Sequence, residues 1–401
     1  MADGQYTYII IGGGLAGGYA VQGIRERDAG GSILLIGSED YLPYNRPPLT
    51  KQLWFGKKKV EDIFAKNADF YAEQHVDTVL MDTVQELNAG EKTIVDGNGQ
   101  RFRYQKLLLA TGGAPRRLSI PGGDLEGISY YRYLDDYFAT RAEAGEGKRA
   151  LIIGGGFIGS EIAAALNINK LHVTLLFPDE YLVARVFPES LGRAITRHYA
   201  EKGVTLLTKD EPTAIERKGA TFVTHTRNGQ QLESEILIAG IGIAPTTVLA
   251  EMAGLTVNNG IVVNEFLQTS HPDIYAAGDV ANFPYQALGE RRRVEHWDNA
   301  VTMGKYAGRN MAGAGEAYTY MPYFFSDLFE FGYEAVGDVT TKLETFADWQ
   351  KENDTGVIYY LREGKVRGAM MCNVWNKVDA ARELIKKGAT VTPDDLRGAI
   401  K

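Results

Sequence analysis

The sequence predicts an α/β chain: two doubly wound β-α-β domains, then a smaller α+β domain with an antiparallel sheet. Three observations lead there. A strand, a glycine-rich turn, a helix and a second strand open the chain, and the same series recurs with Gly154 in the place of Gly12. Other apolar runs end in small residues, as parallel strands do where they meet a ligand edge. From Met321 on, the pattern changes to hairpin signals and one amphipathic stripe. A length of 401 residues exceeds what one hydrophobic core serves, and 44% apolar with 23% charged residues excludes a disordered chain.

In order, Tyr6–Ile11 reads as a buried strand, Gly12-Gly13-Gly14-Leu15-Ala16-Gly17 as a turn into a helix, and Ser32–Ile36 as a second strand ending near Glu39. Lys106–Ala110 is another apolar strand, ending in Thr111-Gly112-Gly113. Arg149–Ile153, the turn Gly154–Gly159, a helix over Ser160–Asn169 and the strand His172–Phe177 leading to Asp179 repeat the opening. Ile236–Gly240, followed by Ile241-Gly242, is the second half's counterpart of Lys106–Ala110, and Ile274–Ala277 ends in Gly278-Asp279. These segments fit an open sheet that is interrupted and resumed. Toward the C-terminus, Gly356–Arg362 and Lys365–Met371 flank a two-residue turn, Glu363-Gly364. Gly332–Val339 is a third strand, and Val378, Ala381, Leu384 and Ile385 form a helical stripe closed by Gly388. The expected division is 1–120 with 245–320, 121–244, and 321–401.

Each repeated unit has the chemistry of a dinucleotide cradle. The first glycine allows the tight turn, the second lets backbone approach a pyrophosphate, and the third packs helix on strand. The helix N-terminus offers free N–H groups to the phosphates. A carboxylate about 20 residues on, Glu39 or Asp179, accepts from ribose hydroxyls. Two bound dinucleotides are therefore expected. Asp279 accepts from a polyol, caps a helix, or does both.

Composition narrows the rest. Acidic residues outnumber basic ones, 51 to 43, for a net charge of −8, which argues against nucleic acid or an anionic membrane as the main partner. One cysteine, Cys372, leaves no disulfide framework, cysteine zinc site or dithiol. His75, His172, His198, His225 and His271 lack metal-ligand spacing, so no metal is expected. Without a leader or a long apolar run, the expected location is the cytoplasm. Lys57–Lys59 and Arg291–Arg293 are short basic stretches that either stay solvated or dock an acidic partner.

The glycine units, together with Ala110-Thr111-Gly112, Gly240-Ile241-Gly242 and Ala277-Gly278-Asp279, resemble the two-dinucleotide-binding-domain flavoproteins related to glutathione reductase. Within them, Pro43-Tyr44-Asn45-Arg46-Pro47-Pro48-Leu49-Thr50-Lys51 resembles the branch of oxygenase-coupled ferredoxin reductases and apoptosis-inducing factor. Gly154–Glu161, Leu176-Phe177-Pro178, Arg291–His296, Ser326-Asp327-Leu328, Gly332-Tyr333-Glu334-Ala335 and Gly356–Lys387 are most similar to the apoptosis-inducing factor type.

The resemblance implies FAD on the first Rossmann-like unit and NADH on the second. On the FAD side it implies Gly12, Gly14, Ala16, Gly17, Glu39, Arg46, Lys51, Val84, Ala110, Thr111, Gly112, Arg132, Asp279, Glu295, His296, Trp297 and Phe325. On the NADH side it implies Gly154, Gly156, Phe157, Ile158, Gly159, Glu161, Asp179, Gly242 and Glu295. Lys51, Glu161 and His296 are the expected catalytic residues. Lys51 and Arg46 lie along the flavin, Glu161 pairs with Lys51 across the two dinucleotide units, and Phe157 gates the flavin. Asp179 favours NADH, because a carboxylate repels a 2′-phosphate.

The implied activity is hydride transfer from NADH to FAD, then electron transfer to a ferredoxin, a quinone or another acceptor, without redox-active cysteines. The alternative is a redox-responsive interaction protein with a long-lived FADH2–NAD charge-transfer complex and a changing oligomeric state, a homodimer included. Some residues depart from the apoptosis-inducing factor pattern. Trp297 stands where those proteins have histidine and the ferredoxin reductases have tryptophan, and Phe325 replaces a tryptophan. The animal insertion between Val339 and Gly356 and the targeting segments are missing, so a mitochondrial role is not expected.

Overall fold

The computed structural model describes residues 4–400. The described residues form two compact units: 4–45 with 60–114 and 244–322, and 46–59 with 115–243 and 323–400.

The first unit is built on a sheet in the strand order Val76–Val79, Ile33–Ile36, Gly4–Ile11, Arg101–Leu109. These four strands are parallel. The long strand Arg101–Leu109 then has two neighbours. Its first half pairs antiparallel with Thr93–Asp96, which pairs in turn with Val84–Asn88. Its second half pairs in parallel with Ile274–Ala276, which returns to the sheet from far along the chain. Ile9, Ile10, Leu35 and Leu107–Leu109 are fully shielded, as expected for strands covered on both faces. The helix Leu15–Arg25 lies against Trp297–Met311 almost backbone to backbone. A Cβ added to Gly304 would come 2.4 Å from the Ala16 carbonyl, and one on Gly308 2.1 Å from that of Ala20. Trp297–Met311 was not anticipated from the sequence.

The second unit holds a five-stranded parallel sheet in the order Thr205–Thr208, His172–Phe177, Arg149–Ile153, Ile236–Ala239, Ile128–Ser129. Its helix Phe157–Ile168 starts earlier than the sequence suggests, because Gly156 is itself the N-cap. An antiparallel sheet, Pro212–Lys218, Thr221–Thr226 and Gln231–Ser234, was also unforeseen. It covers Leu151, Ile153 and Leu237 with Ile215 and Phe222. The C-terminal sheet is antiparallel throughout, in the order Tyr323–Leu328, Phe331–Gly337, Lys365–Cys372, Thr355–Arg362, Glu344–Lys351. Glu363 and Gly364 both have positive φ, 53° and 68°, the conformation a two-residue hairpin turn requires. The helix Val378–Lys387 ends on Gly388 at φ 57°.

The units differ from the expected division in two ways. Residues 115–243 and 323–400 cluster as one body, and Arg46–Lys59 belongs to it instead of to the first unit. The reason is local bonding. The Trp54 indole donates to the Tyr131 hydroxyl at 2.7 Å, Tyr131 donates to the Leu49 carbonyl at 2.8 Å, and the Asn169 amide donates to the Trp54 carbonyl at 3.2 Å.

Candidate functional site

The two glycine turns are near copies. Gly12 and Gly154 sit at φ 125° and 117°, where a Cβ would meet the carbonyl oxygens of Ala110 at 2.1 Å and Gly240 at 2.4 Å. Gly17 and Gly159 are pressed against the carbonyl oxygens of Gly12 and Gly154, at 2.1 and 1.8 Å from a would-be Cβ. Gly14 and Gly156 differ from their neighbours: a Cβ on either would meet nothing within 4 Å. Each is also the N-cap of its helix, with no side-chain cap and no acidic residue in the first turn. The turns therefore fit a pyrophosphate: an open space over the middle glycine, faced by helix N–H groups that no side chain satisfies.

Around the first turn, Ala16 is buried against Gly304 and Gly278. The Ala110 amide donates to the Ile11 carbonyl at 2.8 Å, and the Thr111 hydroxyl to the Thr246 carbonyl at 2.7 Å. Gly112 is at φ 62°. Glu39 accepts the Tyr44 phenol at 2.5 Å, a partner the sequence did not announce. Val84 opens an edge strand, just after Met81 and Asp82 donate to the carbonyls of Glu39 and Gly37. Asp279 is not a helix N-cap: Ala277 caps the short 3-10 turn Gly278–Val280, and Asp279 lies inside it.

His296 is the N-cap of Trp297–Met311 and half-buried. Burial lowers its imidazole to about 4, against the opposing pull of the Asp279 carboxylate, so the ring is neutral at pH 7. Trp297 donates its indole N–H to Asn45 at 2.6 Å, and Glu295 is exposed and ion-paired to Arg293.

Around the second turn, Asp179 is exposed just past the strand His172–Phe177, and its carboxylate has no hydrogen-bond or ion-pair partner among the described residues. Ile158 is 41% exposed, unusual for isoleucine, and Gly242 is at φ 94°. The Phe157 ring lies 5.6 Å from that of Phe324.

The same unit holds a buried charged cluster. Lys51 follows the 3-10 turn Pro47–Thr50, and Glu161 is on the inner face of Phe157–Ile168; they are 3% and 7% exposed. Lys51 Nζ is 2.9 Å from Glu161 Oε1 and 3.4 Å from Asp327 Oδ2, and lies 4.8 Å from the centre of the Phe325 ring. Glu161 also accepts from the Thr50 hydroxyl on Oε2 and from the Ser326 hydroxyl on Oε1, both at 2.5 Å. Arg46 donates to the Arg132 carbonyl at 2.7 Å and lies over Tyr133. The expected Lys51–Glu161 pair is present, and because Arg46–Lys59 clusters with this unit, the pair lies inside it. Thr50, Ser326 and Asp327 were not foreseen as partners, although each lies within a stretch already singled out. The buried lysine is paired with a carboxylate that two hydroxyls also bond, so neither ion of the pair is left uncompensated.

The chain matches the pyridine nucleotide-disulphide oxidoreductase family over residues 6–304 and the apoptosis-inducing factor, mitochondrion-associated, C-terminal family over 307–355. It is 35% identical to apoptosis-inducing factor 1, mitochondrial, of Dictyostelium discoideum, covering 96% of this chain and 79% of that one. It is 33% identical to monodehydroascorbate reductase 2 of Arabidopsis thaliana, covering 92% and 90%. Among solved structures, it resembles that of the covalent putidaredoxin reductase–putidaredoxin complex, with TM-score 0.90, 29% identity and 98% and 95% of the two chains covered. With its two phosphate turns intact, the chain belongs to the pyridine nucleotide-disulphide oxidoreductases and is an FAD-dependent NAD(P)H oxidoreductase.

Proposed function

We propose that this chain is an NADH oxidoreductase that delivers electrons to a ferredoxin from the cytoplasm, with no cysteine in the reaction. The observation that carries it is the matched pair of phosphate turns, each open over its middle glycine. When bound, FAD supplies a two-electron acceptor for the hydride of NADH and releases the electrons one at a time. The residues of the chain bind and orient. Gly12, Gly14 and Gly17 hold one pyrophosphate, and Gly154, Gly156 and Gly159 the other. Glu39 and Asp179 take ribose hydroxyls. Lys51, paired with Glu161, favours added negative charge near Phe325. His296 stays neutral and donates or accepts one hydrogen bond. Cys372 is fully buried and its thiol is pushed up by burial, which suits a packing role and not redox exchange.

The ferredoxin assignment rests on likeness to a reductase solved with putidaredoxin over nearly the whole chain. Purified protein mixed anaerobically with NADH is expected to bleach and then to regain its yellow colour faster with ferredoxin than with quinone, monodehydroascorbate or oxygen. Fastest recovery with any of the others overturns the acceptor. The match of residues 307–355 to the apoptosis-inducing factor C-terminal family favours one second reading, a redox-responsive homodimer. Long-wavelength absorbance that persists after NADH, with a doubled mass in solution and slow recovery, selects it.

A further inference from the structure

Glu161 sits where three donors converge. Its Oε1 faces Lys51 Nζ and the Ser326 hydroxyl, and its Oε2 faces the Thr50 hydroxyl. Thr50 and Ser326 come from different elements, the turn Pro47–Thr50 and the strand Tyr323–Leu328 of the C-terminal sheet, and are 4% and 1% exposed. Thr50 has one proton and two acceptors in reach, the Pro47 carbonyl at 3.3 Å and Glu161 at 2.5 Å, and the shorter bond to a carboxylate is the stronger. Behind Ser326, the wholly buried Tyr333 faces Glu161, and its phenol is held neutral, mainly by burial. The carboxylate is buried, and the groups it bonds to are the Thr50 and Ser326 hydroxyls and the Lys51 ammonium, so losing a hydroxyl leaves one of its oxygens with less to fix it.

We propose that Thr50 and Ser326 are positioning residues for the proposed hydride transfer. Each fixes one Glu161 oxygen, so that the carboxylate holds the Lys51 ammonium against Phe325 in one geometry. The C-terminal sheet thereby supplies part of the redox machinery through Ser326. The inference rests on the reading of Lys51 as the residue that favours added charge at the flavin.

The test compares T50V, isosteric without the hydroxyl, and S326A with T50S and S326T, which restore one, and with K51A, all as FAD-loaded protein. T50V and S326A are expected to slow the limiting rate of flavin reduction by roughly tenfold, the scale of one hydrogen bond to a charged group. The midpoint potential of the bound flavin should move, and the NADH KM should stay within about twofold. T50S and S326T should recover most of the loss. If T50V and S326A leave potential and limiting rate as in the parent while K51A alters them, the positioning role is wrong and the reading of Lys51 stands. If K51A is also silent, that reading falls with it. Should S326A fail to fold, T50V against T50S decides alone.

Discussion

Two single residues have consequences that do not depend on the electron acceptor. His296 is held to about 4 against an ordinary 6.5, so between those values the unfolded chain binds a proton that the folded chain refuses. Stability must fall as pH drops from about 6.5 to about 4, by roughly 2 kcal/mol, less than the full shift because the ring is only half-buried. In H296N, unfolding free energy measured by denaturant titration should lose this part of its pH slope; an unchanged slope assigns it to other groups. Asp179 makes the opposite kind of prediction. Its carboxylate is exposed and unbonded, so D179N should leave the melting temperature within a degree or two. The parent should reduce faster with NADH than with NADPH, and D179N should narrow that ratio by about tenfold by removing repulsion of the 2′-phosphate. Equal use of the two nucleotides by the parent protein would reject the assignment. Both residues were singled out as candidates from the sequence, Asp179 from its distance past a glycine turn and His296 only through the resemblance. Thr50 and Ser326 were not, because their meaning lies in contacts with Glu161 more than a hundred positions away, which no local pattern encodes.

At the scale of an element, the glycine turns separate fold from function. Within one turn, Gly159 and Gly156 are three positions apart and behave differently. A Cβ on Gly159 would overlap the Gly154 carbonyl at 1.8 Å, so G159A must displace helix Phe157–Ile168 and destabilise the unit by several kcal/mol. A Cβ on Gly156 meets open space, so G156A should fold as the parent does and place its methyl where the phosphates lie. The expected result is an NADH KM raised at least about tenfold with an unchanged melting curve, and G14A should do the same to FAD retention. A G156A protein with normal NADH affinity would mean that the turn serves packing alone. These turns were readable because their three glycines answer to three separate local demands. The helix Trp297–Met311 was not, since Gly304 and Gly308 lower its propensity. They are there because Ala16 and Ala20 approach their backbone, which is a property of the partner helix. The sheet Pro212–Ser234 escaped for a related reason: its strands are short and half polar, and only the cover they give Leu151 and Leu237 explains them.

For the molecule as a whole, the governing quantity is charge. A net −8 repels an acidic ferredoxin at long range, so docking needs a local basic site strong enough to overcome it. Of the two basic stretches in the sequence, Arg291–Arg293 is already committed. Arg291 donates to the carbonyls of Val263 and Asn282, Arg292 pairs with Glu290 at 2.6 Å, and Arg293 pairs with Glu295. Lys57 and Lys58 are exposed, and among the described residues Lys57 meets nothing firmer than the Phe55 ring at 5.7 Å. The sign of the salt effect therefore discriminates. If ferredoxin docks through Lys57 and Lys58, added salt slows electron transfer to it, because screening within a Debye length of about 10 Å at 0.1 M weakens the attraction. If overall repulsion governs the encounter, added salt speeds it. K57E/K58E should lower the second-order rate with ferredoxin several-fold at low ionic strength and converge on the parent at high salt, a signature of steering. Flavin reduction by NADH should be the same in both proteins, since neither lysine belongs to the phosphate turns or to the Glu161 cluster. A double variant that keeps the parent's rate at low salt moves the docking surface elsewhere on the molecule.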